Sequence, residues 1–218
     1  MTRDEAYTLV TEWTKNQNLV KHMLAVEAIM CSLARHFSAK GGSASGGSEF
    51  DEEVWGLAGL LHDADYELYK DTDPKKHPSK IFEELQKRHA DRRIIDAIKS
   101  HAWGWREDLP EPKTNMQWSL FCCDDLSGYI IACALVRPDP SASTSAMSSV
   151  PNGSGQVKSK LQSLTVESLQ KKWGQKSFAS GVKREHAQLC QEKLDINLED
   201  FMTIALKAMQ DIHEELDL

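Results

Sequence analysis

Between Leu19 and Phe37 the apolar residues Leu19, Met23, Val26, Ile29, Met30, Leu33 and Phe37 mostly fall three or four positions apart. That spacing lines one face of a helix and leaves no strand reading for the segment. The same periodicity governs most of the chain. Nowhere does an alternation of period two persist, so no sheet is expected, and no internal repeat is found. The expected fold class is all-α.

Capping residues mark the helix starts. Thr2 with Glu5 makes a capping box ahead of a helix over Ala6–Trp13. Asn18 is positioned to cap the helix that carries the Leu19–Phe37 stripe, and Asp51 one that runs to His62. Further helices are expected over Lys75–Arg88, Asp91–His101 and Met116–Val136, the last ended by Arg137-Pro138. Two more are expected over Val182–Leu194 and Leu198–Leu218, with Asn197 as a cap.

Two stretches interrupt this pattern with Gly, Ser and Pro, residues that leave a chain flexible. The expected division is a helical core over 1–138 with a loose insertion at about 38–49, a flexible linker or loop over 139–156, and C-terminal helices over 157–218 packing on the core. A length of 218 residues is enough for one sizeable core.

The formal net charge is -7, which disfavours a nucleic-acid coat, because phosphate-backbone binding needs a basic face. It leaves room for a small anionic substrate held by a few local cations. Cys31, Cys122, Cys123, Cys133 and Cys190 match no metal-finger spacing. An odd number reads as reduced thiols in an intracellular setting. No secretory leader is recognised, no apolar run is expected to span a membrane, and a cytoplasmic location is expected.

The chemistry-bearing feature is the adjacent His62-Asp63 pair, which closes the apolar run Trp55–Leu61. A histidine and a carboxylate side by side where a buried helix ends can both turn toward one metal ion. His22, His77, His101 and Asp124 each lie beside or within an apolar helical stretch. Singly, each has a structural explanation: a buried, hydrogen-bonded His22, a solvated His77, a His101 favouring a helix C-terminus. Six such residues in series point instead to a divalent transition metal, one or two ions of Fe, Mn, Zn or Co, held without cysteine. Asp125 stands in for Asp124 if the register shifts by one. Asp65, Glu27 and Asp125 are candidates to fix the histidines' second nitrogens.

The order His22, Leu61-His62-Asp63, His77, His101, Cys123-Asp124-Asp125-Leu126-Ser127 resembles the HD-domain superfamily of metal-dependent hydrolases. Its minimal pattern is an early His, an adjacent His-Asp and a distant Asp. The stretches 19–27, 60–67, 124–128, 134–138 and 176–182 are similar to small predicted hydrolases of the HDIG type. The resemblance implies an HD-like helical bundle with a C-terminal helical extension. It makes His22, His62, Asp63 and Asp124 the ligands of a first metal, with Asp63 bridging to a second held by His77 and His101. Two-metal members carry His-His where this chain has His101-Ala102. They also carry Gly-Lys soon after the His-Asp pair, where this chain has Asp65-Tyr66.

The expected function is therefore a metal-dependent phosphohydrolase using a metal-activated water on a small phosphorylated metabolite or nucleotide. Asp63, Asp65, Arg137 and Lys176 are the expected catalytic or substrate-contacting residues. Trp103 and Trp105 are candidates to wall a pocket. Lys158, Lys172 and Lys183 are read mainly as a solvated face. Two alternatives remain at this level: a diiron oxygenase with the same donors, favoured by Tyr66, and a metal-stabilised binding or regulatory module without turnover. The oligomeric state is left open.

Overall fold

A computed structural model describes residues 1–40, 49–138 and 159–218. Most of the insertion expected at about 38–49, all of the linker expected at 139–156, and Lys158 lie outside the described residues. Twelve α-helices follow one another in the described chain, and no strand occurs among the described residues. They are α1 Arg3–Trp13, α2 Gln17–Ala39, α3 Glu52–Leu61, α4 Tyr66–Tyr69, α5 Ser79–Lys87, α6 Arg92–His101, α7 Asn115–Leu135, α8 Val166–Trp173, α9 Arg184–Gln188, α10 Cys190–Leu194, α11 Leu198–Asp211 and α12 His213–Leu216. A 3-10 turn, Pro74–Lys76, precedes α5.

The helix starts follow the capping chemistry with one displacement. Thr2 and Glu5 close the capping box of α1, Asp51 caps α3, and Asn197 caps α11. The cap of α2 is Asn16, not Asn18: its side chain accepts from the Asn18 backbone N–H. Both positions hold asparagine, and the turn leaving α1 selects the earlier one. α2 continues through Ser38 and Ala39, beyond the expected start of the insertion.

Three expected helices are broken. Lys75–Arg88 is interrupted because Pro78 offers no N–H and pushes the residue before it out of helical space. His77 accordingly sits at φ -66, ψ 136, an extended backbone. Val182–Leu194 divides into α9 and α10 at Leu189. Leu198–Leu218 divides at Ile212, where φ -112, ψ 22 leaves the helical region. Two helices had no sequence expectation. α4 is a single turn, and α8 begins with a capping box between Thr165 and Ser168.

α2 lies along α3, and α7 packs against both, so these three form the centre. α6 covers α7 and α3, α11 covers α2, and α9 and α10 pack on α7. Met23, Val26, Ile29, Met30, Leu33, Trp55, Leu60, Leu61, Phe121, Leu126, Tyr129 and Phe201 are buried in one continuous apolar cluster. Burying each such side chain contributes about 1.5–3 kcal/mol. The stripe read from Leu19 to Phe37 is thus the inner face of α2, with Leu19 itself half-buried at its edge.

Contrary to the sequence expectation, one helix, α7, is long and apolar enough to cross a membrane; 67% of its most apolar window is buried in the bundle. Its composition is that of a central core helix, and Cys122, Cys123 and Cys133 fill space within it as free thiols.

The contact between α2 and α3 depends on Gly59. A Cβ there would lie 2.8 Å from the Val26 carbonyl oxygen and 2.9 Å from Glu27 backbone atoms. Only glycine allows this approach, and the approach brings His22 and His62 together.

Candidate metal centre

Three helices, a turn and an extended segment converge at one end of the bundle. α2 carries His22, the turn closing α3 carries His62, Asp63 and Asp65, the extended segment before α5 carries His77, α6 ends on His101, and α7 carries Asp124. They form two donor sets. In the first, His22 Nε2 lies 3.1 Å from Asp124 Oδ1 and 3.2 Å from His62 Nε2, with His62 Nε2 3.5 Å from the same oxygen. In the second, His77 Nε2 lies 3.3 Å from His101 Nε2. Asp63 joins them. Its Oδ2 lies 3.6 Å from His62 Nε2 and 3.8 Å from His22 Nε2. Its Oδ1 lies 3.2 Å from His77 Nε2 and 3.7 Å from His101 Nε2.

The outer nitrogens fix how the rings are protonated. His62 Nδ1 donates to the Gly59 carbonyl at 2.7 Å, and His101 Nδ1 to the Ile98 carbonyl at 2.5 Å. Each bond spans three residues within the ring's own helix. His77 Nδ1 donates to Asp65 Oδ1 at 2.7 Å. The Ser127 hydroxyl gives its hydrogen to the Asp124 carbonyl at 2.8 Å, so it accepts from His22 Nδ1 at 2.9 Å. In the neutral rings, with Nδ1 carrying the hydrogen, the Nε2 atoms of His22 and His62, and those of His77 and His101, present lone pairs to each other. Two lone pairs about 3.2 Å apart repel unless a cation lies between them. The donor set fits a metal, and second nitrogens held in this way are what metal-binding histidines require.

The electrostatics agree. Burial opposes the charged form of His62, but the Asp63 charge and the contact with Asp124 outweigh it and raise its pKa to about 9. Burial likewise opposes a charged His77, and its bonds to Asp63 and Asp65 prevail, again raising it to about 9. Burial would raise both carboxylates; instead the His62 charge holds Asp63 well below the usual range, and bonds from His22 and His62 do so for Asp124. His101 is lowered, chiefly by burial. The carboxylates together favour positive charge at the point where the imidazoles meet.

Asp65 is fully buried and is not a donor to the centre. Its Oδ1 orients His77, while Oδ2 accepts the backbone N–H groups of Lys80 and Ile81 at 2.8 and 3.0 Å. It ties the start of α5 to the centre. Glu27 pairs with Arg3 at 2.6 Å and has no part in the site.

A cleft of about 290 Å³ opens onto the second set. Tyr66, Ala102, Trp105, Asp125, Lys183 and His186 line it beside the donors. Ala102, next to His101, lines it with a methyl group that offers no donor. Trp103 also borders the cleft but packs edge-on against Trp118, with ring centroids 6.0 Å apart; Trp105 is exposed. Asp125 turns away from the metal donors: its oxygens accept from the Lys183 backbone N–H and from His186 Nδ1, each at 3.0 Å.

Arg137 and Lys176 do not line the cleft. Arg137 is bound to the hydroxyl and carbonyl of Ser163. α7 runs eleven residues past Asp124 to Leu135, roughly 16 Å of helical rise, and closeness in sequence motif gave no closeness in space. Lys176 is exposed on the turn before α9. Lys172 lies over the Phe178 ring at 5.0 Å. Two residues went unrecognised in the sequence. His186 lies in a short helix with no pattern around it. Ser127 was legible in principle, being one helical turn beyond Asp124 and hence on the same face.

The family model of the HD domain matches residues 19–127, half of the chain and a stretch holding all six donors. The chain belongs to the HD domain family. No curated protein and no solved structure matches it. The HD domain indicates the superfamily of metal-dependent phosphohydrolases, whose members bind divalent metals. In HD terms, the His-Asp pair is His62-Asp63, the early histidine His22 and the distant aspartate Asp124. The match ends at Ser127, so Lys183 and His186 come from outside it.

Proposed function

We propose that this protein is a metal-dependent phosphohydrolase acting on a small phosphorylated substrate. One observation carries the reading: Asp63 offers a separate oxygen to each of two histidine pairs. A bridging carboxylate between two donor sets is what a two-cation clamp on a phosphoryl group needs. His22, His62, Asp124 and Asp63 would hold one divalent cation, and Asp63, His77 and His101 a second. Nitrogen and oxygen donors without thiolate suit Fe, Mn, Zn or Co. Such cations, when bound, polarise a phosphoryl oxygen and bring the pKa of their water toward about 7.

The chain's own groups have separable tasks. Asp65 and Ser127 hold His77 and His22 in orientation. Ala102 leaves the second set open toward the cleft. Lys183 places a positive charge at its wall, which supports an anionic substrate; Arg137 and Lys176 are bound or exposed elsewhere. The cleft volume supports a small molecule rather than a polymer.

The test is a phosphate-ester panel with protein loaded in turn with Mn, Fe, Zn and Co. Phosphate release that a chelator stops and added metal restores is the expected result. Iron-dependent dioxygen consumption without phosphate release would replace this reading with an oxygenase. Stable metal binding with no turnover of any ester would replace it with a binding module.

A further inference from the structure

Cleaving a phosphate ester sends an electron pair to the departing oxygen, which needs a proton if it is an alkoxide. The metal donors are poorly placed to supply one. Their Nδ1 hydrogens are bound to Gly59, Ile98, Asp65 and Ser127, and their Nε2 lone pairs converge on the cation positions. Asp65 is sealed from the cleft.

Three other groups at the cleft can carry a proton. Tyr66 packs edge-on against His77, with ring centroids 5.5 Å apart. The Lys183 ammonium lies over the Trp105 ring at 5.9 Å. His186 is held on two sides. Its ring lies against Phe121, with centroids 4.5 Å apart and 36° between planes, and its Nδ1 is 3.0 Å from Asp125 Oδ2. Its side chain is 24% exposed. A carboxylate at Nδ1 fixes an imidazole's orientation and occupies that nitrogen, which leaves Nε2 as the nitrogen available to a ligand in the cleft.

Asp124 and Asp125 are thereby divided. Consecutive residues on α7 point about 100° apart, so the first faces His22 and His62 while the second reaches α9. The same Asp125 accepts the Lys183 backbone N–H, which sets the position of α9 relative to the metal donors.

We propose that His186, oriented by Asp125, donates the proton to the departing oxygen of the phosphate ester. This rests on the phosphohydrolase reading above. The oxygen of water bonds to phosphorus, and the ester P–O bond breaks. The departing oxygen keeps the electron pair and takes the His186 Nε2 proton. The imidazole regains a proton from solvent as the attacking water releases one. Alcohol and inorganic phosphate are the only products, and no further reactant is needed. His186 would be the catalytic residue and Asp125 its positioning residue, so the C-terminal helices take part in the chemistry of a centre built by the HD domain.

The test compares His186→Gln with the unaltered chain on two esters, the best alkyl phosphate of the panel and p-nitrophenyl phosphate. The nitrophenolate departs without needing a proton. Loss of a proton donor is expected to lower kcat/KM for the alkyl ester by about 10²–10⁴-fold and for the aryl ester far less. Asp125→Asn should show the same selective loss in milder form. Metal content and unfolding midpoint, measured on both variants, establish that each folds and loads. Equal losses on the two esters, or none on the alkyl ester, would overturn the role of His186 while leaving the phosphohydrolase reading standing. An unaltered, metal-loaded chain that hydrolyses neither ester would overturn that reading and this role with it.

Discussion

His22 and His62 stand on helices packed along their length, whereas His77 stands on an extended segment between a 3-10 turn and α5. The first pair meets because α2 and α3 approach closely at Gly59, and the His62 ring is fixed by a carbonyl of its own helix. His77 has no helix of its own to supply such a carbonyl. It uses the buried side chain of Asp65, which holds two backbone N–H groups as well. One donor set is thus a by-product of core packing, and the other depends on a single polar residue. The first should be robust and the second tunable by substitution outside the donors. Asp63 is common to both.

The largest effect should come from removing that common element. Asp63→Asn takes away the charge both sets share, and kcat/KM should fall by about 10³-fold, equivalent to roughly 4 kcal/mol. Phosphate release and metal analysis would measure it, and an unaltered rate would mean the carboxylate joins nothing. Next is Gly59→Val, which forces side-chain atoms into the α2–α3 contact. A stability loss of about 1–3 kcal/mol is expected from overpacking, read as a lower urea midpoint. A variant as stable as the parent would refute the claim that the first set rests on this approach.

Asp65→Ala should separate the two sets. The second cation should bind about 10–100-fold more weakly, the first unchanged, so that titration moves from two ions per chain toward one. Equal weakening of both would dissolve the distinction. The smallest effect is expected for Ser127→Ala, which removes the acceptor of His22 Nδ1 but leaves the ring on α2. About 10-fold weaker binding at the first set alone, by calorimetric titration, is the expected result.

The residues that converge were legible because local patterns carry them. His62-Asp63 closes an apolar run, His22 lies by an apolar stripe, and His101 follows Ile98 by three residues. The choice between Asp124 and Asp125 was not legible. Both sit on α7, and only packing shows that one faces two histidines while the other faces His186. Arg137 illustrates the opposite error: membership of a familiar stretch suggested a substrate contact, and the rise of α7 carries it to Ser163 instead. The break at His77 was written in Pro78, whose missing N–H stops any helix running through it.

The amino-acid sequence by itself determined an all-helical chain and the kinds of atom available to a cation, because helical periodicity and donor chemistry reside in neighbouring residues. The tertiary structure decided which oxygen of Asp63 faces which imidazoles, which nitrogen of each ring is left bare, and that His186 meets Asp125 across 61 residues of chain. Contacts between residues so far apart leave no trace in local spacing. They exist only once burial of the apolar faces of α2, α3 and α7 has set the helices against one another.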